Sequence, residues 1–155
     1  MNLKILWPGK TRNKELRELQ DYYLRRICQL EPCQLIETKL SKGMEEKFRE
    51  KILEIEAKDL EKYFKDDYII CLFQGGKEMT SVDFARFIEE RSSSSIRAVT
   101  FVVGGFLGLK DRLIRKADFL LSLSKMTFSH ELSRIILLEQ IYRSLTIRKG
   151  KKYAK

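Results

Sequence analysis

Residues able to do chemistry fall in three places: a glycine cluster after an apolar run, a hydroxyl-rich segment before the last helix, and charged residues inside that helix. Gly104, Gly105 and Gly108 directly follow the apolar run Ala98 to Val103. Lacking side chains, they let a ligand lie on bare backbone or let the chain take a positive φ; a tight strand-to-helix turn is the plainer use. Ser124-Lys125-Met126-Thr127-Phe128-Ser129-His130 joins small hydroxyls, a thioether, an aromatic ring and the single histidine. Ser129 is placed to cap a helix and Glu131 to complement its dipole, and a lone histidine beside them is either a structural hydrogen-bonding group or a proton acceptor. Arg134, Glu139, Gln140, Tyr142 and Arg143 interrupt an otherwise apolar helix. Charges buried there need partners, which Glu139 or the phosphate of a substrate could equally supply. The sequence holds no dinucleotide fingerprint after its first strand, no P-loop, no serine-hydrolase elbow and no clustered metal ligands, so no metal is expected.

The elements that must position these groups follow from periodicity. Asn2 to Trp7 reads as a strand, with Leu3, Ile5 and Trp7 on one face and Pro8-Gly9 ending it. Leu16, Leu19, Tyr23, Ile27 and Leu30 recur at helical spacing up to Pro32. Cys33 to Thr38 is a second strand, and Met44, Phe48, Ile52 and Ile55 mark a helix running to about Phe64. Tyr68 to Phe73 and Ala98 to Val103 are almost wholly apolar, as strands covered on both faces are, and each runs into glycines. Between them, Thr80 and Asp83 form a capping pair for a third helix. A short helix from Lys110 to Lys116 and a strand at Phe119 to Leu123 precede the final helix, His130 to Leu145. That helix is apolar nearly all round, so it needs more than one burying surface, and a second subunit is one source. Alternating strands and helices predict one α/β domain over 1–155, with a mainly parallel sheet covered on both faces. In such sheets ligands bind beyond the carboxyl ends of the strands, where the glycine cluster lies.

Composition narrows the class. The 155 residues are 43% hydrophobic and 34% charged, with 8 Gly and 2 Pro, which describes an ordered globular chain. No apolar run approaches the roughly 20 residues of a membrane span, and the amino terminus lacks a secretion signal, so a cytoplasmic protein with no membrane partner is expected. Three cysteines without zinc spacing read as reduced thiols. Lys plus Arg number 31 against 22 for Asp plus Glu, a net charge of +9. Arg148, Lys149, Lys151, Lys152 and Lys155 cluster at the tail with no acid, which favours a polyanionic partner, nucleic acid first.

Three ordered motifs then stand out together: Val102-Val103-Gly104-Gly105-Phe106-Leu107-Gly108-Leu109, Leu121 to His130, and Arg134 with Glu139-Gln140-Ile141-Tyr142-Arg143. With the opening Leu3-Lys4-Ile5, the Tyr22 to Arg26 segment and a basic tail ending near a tyrosine, they closely resemble the ribosomal RNA large-subunit methyltransferase H family, part of the SPOUT superfamily, over essentially the whole chain. The resemblance implies a deep trefoil knot in the carboxyl-terminal part, a homodimer, and transfer of a methyl group from S-adenosylmethionine to N3 of a pseudouridine in 23S ribosomal RNA of the assembled ribosome. It places the cofactor pocket on Leu72, Gly104, Leu123, Ser124, Lys125, Met126, Thr127 and Phe128. His130 and Tyr153 become candidates to handle the N3 proton, and Arg134, Arg143, Arg148, Lys149, Lys151 and Lys152 candidates to hold RNA. Three positions depart from the family pattern: Ser129 stands for its proline, Phe73 for its acidic residue after the third strand, and Ala154 for its tail histidine. The alternative is a non-catalytic RNA- or ribosome-binding protein that keeps the fold.

Overall fold

The computed structural model describes residues 1–41 and 44–153; Ala154 and Lys155, singled out above, lie outside the described residues. The elements run β1 (Asn2–Pro8), α1 (Lys14–Cys28), β2 (Cys33–Thr38), α2 (Arg49–Glu61), β3 (Tyr68–Lys77), α3 (Ser81–Ser92), β4 (Ala98–Val102), α4 (Asp111–Lys116), β5 (Phe119–Leu121) and α5 (His130–Arg148), with a 3-10 turn (Glu46–Phe48) before α2. The strands form one sheet in the order β2-β1-β4-β3-β5, and every pairing is parallel. The expected α/β class with a parallel sheet is therefore present.

Side-chain alternation on β1 sorts the core into two layers. Leu3, Ile5 and Trp7 pack with Ile27, Phe84, Phe101, Leu137, Ile141 and Leu145, beneath α1, α3 and α5. Leu6, on the other face, packs with Ala57, Leu60, Val102 and Leu113, beneath α2 and α4. Helices thus cover both faces, as a sheet with two apolar faces requires. Local chemistry sets the boundaries. Asn13 caps α1 by accepting from the Leu16 amide at 2.9 Å, and Thr80 caps α3 by accepting from the Asp83 amide at 3.1 Å. The second helix is shorter than its apolar spacing predicts, because the turn at Glu46–Phe48 takes up the segment before Arg49.

Two expectations are revised. α5 finds its burying surfaces within the chain, against the sheet and between α1 and α3, so its all-round apolarity no longer calls for a second subunit. Tyr68 to Phe73 was expected to end at a glycine turn, yet β3 continues to Lys77. Its ladder to β5 jumps, with both Leu72 and Lys77 facing Leu121, and Phe73 to Gly76 bulge out between them. Gly76 makes this passage possible: a Cβ there would stand 2.7 Å from the Leu120 backbone.

Candidate active site at the strand tips

The carboxyl ends of β4, β3 and β5 open on a cavity of about 240 Å3. Three segments build it. The first is the glycine loop after β4, closed by a hydrogen bond from the Gly108 amide to the Gly105 carbonyl at 3.0 Å. Gly108 has φ +82°, and a Cβ on Gly104 would fall 2.5 Å from the Gly108 carbonyl carbon, so the loop closes this tightly only because position 104 is bare. Arg49, at the start of α2, donates to the Leu107 carbonyl at 3.1 Å and ties the loop to the body.

The second segment is the bulge of β3, which carries Phe73 and Gln74 to the cavity. Gln74 was not foreseen in the sequence, since a lone glutamine before two glycines gives no signal of its own. Its amide donates to the Lys125 carbonyl at 2.8 Å and accepts from the Thr127 hydroxyl at 3.3 Å. That fastens the third segment, the connection from β5 to α5. Within it the Ser122 hydroxyl donates to the Ser124 carbonyl at 3.0 Å, the Ser124 hydroxyl accepts from the Met126 amide at 2.9 Å, and Ser129 caps α5 by accepting from the Leu132 amide at 3.2 Å. The serine in place of the family's proline therefore has a definite structural use.

Of the residues expected at a cofactor, Leu72, Gly104, Leu123, Ser124, Met126 and Phe128 line this cavity. Lys125 and Thr127 are exposed and do not; they shape the loop through Gln74. His130 lines the cavity and meets the Phe106 ring edge-on, with centroids 6.2 Å apart. Burial, with the nearby Arg134 charge, holds its pKa below the usual 6.5, so the imidazole is neutral at pH 7 and free to accept a proton. Phe106 and Met126, 74% and 76% exposed, flank the opening. Glu56 was also missed: 5% exposed, its carboxylate lies 3.4 Å from where a Cβ of Gly105 would be, and burial raises its pKa.

Tyr153 is not brought to this cavity. It packs on Tyr142, under the Arg143 guanidinium at 4.3 Å, on the carboxyl-terminal half of α5 and away from His130. Burial and the Glu139 carboxylate push its phenol up, so it stays protonated.

The basic residues divide sharply. The expectation that Arg134 meets a phosphate fails in this fold: it is 1% exposed and its guanidinium points inward. It donates to Pro8 O at 2.8 Å, Gly9 O at 3.2 Å and the Thr11 hydroxyl at 3.0 Å, over the Trp7 ring at 4.7 Å. Neither of the partners weighed in the sequence is used; strand-end carbonyls are. Arg143 does take the Glu139 partner, at 2.6 Å, one helical turn away. Arg148 and Lys149 both approach Glu31, at 3.5 and 3.7 Å, while Lys151 and Lys152 are exposed. Among the described residues no acidic, cysteine or histidine group could hold a metal ion, and no helix is long and apolar enough to cross a membrane.

Comparison with known proteins finds relatives over the length of the chain. A family model described as predicted SPOUT methyltransferase matches residues 1–154. The chain is 40% identical over 150 residues to "Ribosomal RNA large subunit methyltransferase H" of Thermodesulfovibrio yellowstonii, covering 97% of this chain and 96% of that one. To the protein of the same name from Clostridium beijerinckii it is 36% identical over 159 residues, covering 100% of both. Among solved structures, a probable methylase family protein from Haemophilus influenzae Rd KW20 superposes with a TM-score of 0.56 at 15% identity, over 99% of this chain and 70% of that one, which speaks to the fold alone. With full-length relatives at this identity and a matching family model, the chain belongs to the ribosomal RNA large subunit methyltransferase H family of SPOUT methyltransferases.

Proposed function

We propose that this chain is an S-adenosylmethionine-dependent methyltransferase that acts on N3 of a pseudouridine in 23S ribosomal RNA of the assembled ribosome, working in the cytoplasm as a homodimer. The reading takes 1–155 as one domain whose carboxyl-terminal part is threaded as a trefoil knot. The observation that carries it is a half-buried histidine at the rim of a cavity floored by bare glycine backbone and walled by Leu72, Leu123 and Phe128.

The residues present suit the cofactor. Apolar walls fit an adenine ring, and backbone groups of the 104–108 and 122–128 segments can meet its polar edge and the methionine end. When bound, the cofactor supplies a methyl group already activated on a sulfonium. The chain's own tasks are to align the target nitrogen with that methyl, exclude water, and take up the N3 proton. His130 is the proton acceptor, and Phe106 and Met126 shield the opening. Tyr153, protonated, is a hydrogen-bond donor to the base, not an acceptor of its proton. Tyr153 packs on Tyr142, which stands about 18 Å along α5 from His130, so both reach one base only if the tail of a second copy lies over the first copy's cavity.

The test is mass mapping of methylated nucleotides in 23S ribosomal RNA from cells with and without the gene, alongside calorimetric titration of the purified protein with S-adenosylmethionine. A single mark lost without the gene, with stoichiometric cofactor binding, supports the proposal. No cofactor binding with retained affinity for ribosomes would overturn it in favour of a non-catalytic module.

A further inference from the structure

A second hollow lies on the same edge of the sheet, between the ends of β1 and β2, with a volume of about 560 Å3. Lys10, Arg12 and Lys39 stand exposed around it, and Gly9, Glu37, Thr38 and the apolar Leu40 form its wall. The wall is rigid and specific. Gly9 turns at φ +74°, its amide donating to Thr38 O at 2.8 Å and its carbonyl accepting from Arg134. Glu37 accepts from the indole of the fully buried Trp7 at 3.1 Å through one carboxylate oxygen. Thr38 is 8% exposed, and its hydroxyl is buried without a hydrogen-bond partner among the described residues. Buried polar groups nearly always have partners, and this one belongs to a residue that lines the hollow, where a ligand can supply it.

The chemistry is that of a nucleotide. Three cations suit a phosphate, while a carboxylate oxygen and a hydroxyl suit sugar and base edges. Its place suits a neighbour of the reacting base. β1 lies between β2 and β4, so the hollow and the glycine loop are about two strand spacings, roughly 10 Å, apart. The two are linked: Glu131, beside His130, accepts from the Arg12 and Asn13 amides at 2.8 and 2.9 Å, and Arg134 grips Pro8 and Gly9.

We infer that the hollow between the ends of β1 and β2 is a second nucleotide subsite, taking the phosphate and base of a nucleotide adjacent to the one methylated in the RNA strand. This rests on the RNA methyltransferase reading above. It assigns Lys10, Arg12 and Lys39 to the phosphate and Thr38 and Glu37 to sugar and base.

Trp7 is the single tryptophan and its indole is bonded to Glu37, so its fluorescence reports on the hollow. The full chain is titrated with a hexauridylate RNA and, separately, with uridine monophosphate. The expected result is a saturable change with the hexamer. In Lys10→Ala/Lys39→Ala its affinity falls about tenfold and the salt slope flattens by about 1.4. Thr38→Val leaves the unfolding midpoint unchanged or higher, yet weakens hexamer binding, a split that a purely structural threonine would not give. In methylation assays the double lysine variant raises KM for RNA and spares kcat. The inference is overturned if Trp7 does not respond, if the variants bind the hexamer as the parent does, or if uridine monophosphate binds and the hexamer does not. Failure of the methyltransferase reading is separate: S-adenosylmethionine then gives no calorimetric signal while the Trp7 response to the hexamer persists.

Discussion

Replacing Arg134 separates a clamp on the fold from a contact with RNA. In Arg134→Met a side chain of comparable length keeps the volume filled and removes the guanidinium. Pro8 O and Gly9 O, bonded to it at 2.8 and 3.2 Å, lose their donor in a nearly dry site, at about 1–3 kcal/mol each. Loss of the stacking on Trp7 adds about 1 kcal/mol. Against this stands relief from burying a cation: desolvation pulls the Arg134 pKa down to about 10, so the group remains charged at neutral pH, at a cost of about 3 kcal/mol. The net expectation is a loss of about 2 kcal/mol, which at a typical urea slope lowers the unfolding midpoint by about 1 M. Equilibrium urea unfolding followed by Trp7 emission reads it directly. Arg134→Lys, charged but with one head group for three acceptors, falls between variant and parent. If Arg134→Met unfolds at the parent's midpoint while RNA affinity drops tenfold or more, the clamp reasoning is wrong and the guanidinium meets a phosphate after all.

Four further outcomes are expected. Gly104→Ala puts a methyl against the Gly108 backbone, so the loop opens and S-adenosylmethionine affinity falls at least about tenfold in calorimetry while the helical signal in circular dichroism is kept; unchanged affinity removes the loop from the site. Lys151→Ala/Lys152→Ala, at exposed positions, flattens the salt dependence of RNA binding by about 1.4–1.8 with unfolding unaffected, and an unaltered slope dismisses the tail as a contact. For His130, held below its usual pKa, the parent's kcat rises from acid pH and levels before neutrality, while His130→Gln loses about 100-fold or more and the acid limb with it; coincident profiles would exclude it as the base. Glu56 binds its proton more tightly folded than unfolded, so stability falls as pH rises from the ordinary carboxylate range through its raised pKa. Glu56→Gln therefore raises the melting temperature at neutral pH and not in acid, and a gap of constant size at both would refute the burial argument.

Much of the architecture was legible because it is written in local periodicity. Cys33 to Thr38 is the observed β2 without change, and the Thr80–Asp83 cap opens α3 as its spacing implies. The Arg143–Glu139 pair, one turn apart on one helix, was one of two partners the spacing left open. What escaped depends on contacts distant in sequence. Gly75-Gly76 looks like an ordinary turn until the β5 backbone passes 2.7 Å from the missing Cβ of Gly76. Arg134 reads as a phosphate ligand until β1's last carbonyls are placed beneath it, 125 residues away along the chain. Gln74 and Thr38 carry no motif at all; a hydroxyl lacking a partner is a property of the folded surroundings and of nothing nearby in the chain. Within the candidate site, the glycine loop and the 123–128 segment were visible as residue types, whereas the failure of Lys125 and Thr127 to face the cavity was not.

The grip of α5 on the end of β1 also bears on how the molecule is made. β1 is synthesised before its partners, yet Asn2 faces Ala98 on one flank, and the donors for Pro8 O and Gly9 O arrive only with residue 134. Until then a strand destined for the middle of the sheet has an open hydrogen-bonding edge and an uncovered apolar face, the condition in which nascent chains stick to one another. Folding should accordingly be slow and nearly all-or-none, and a chain halted before α5 should need chaperone protection, whatever the state of the loops that concern catalysis.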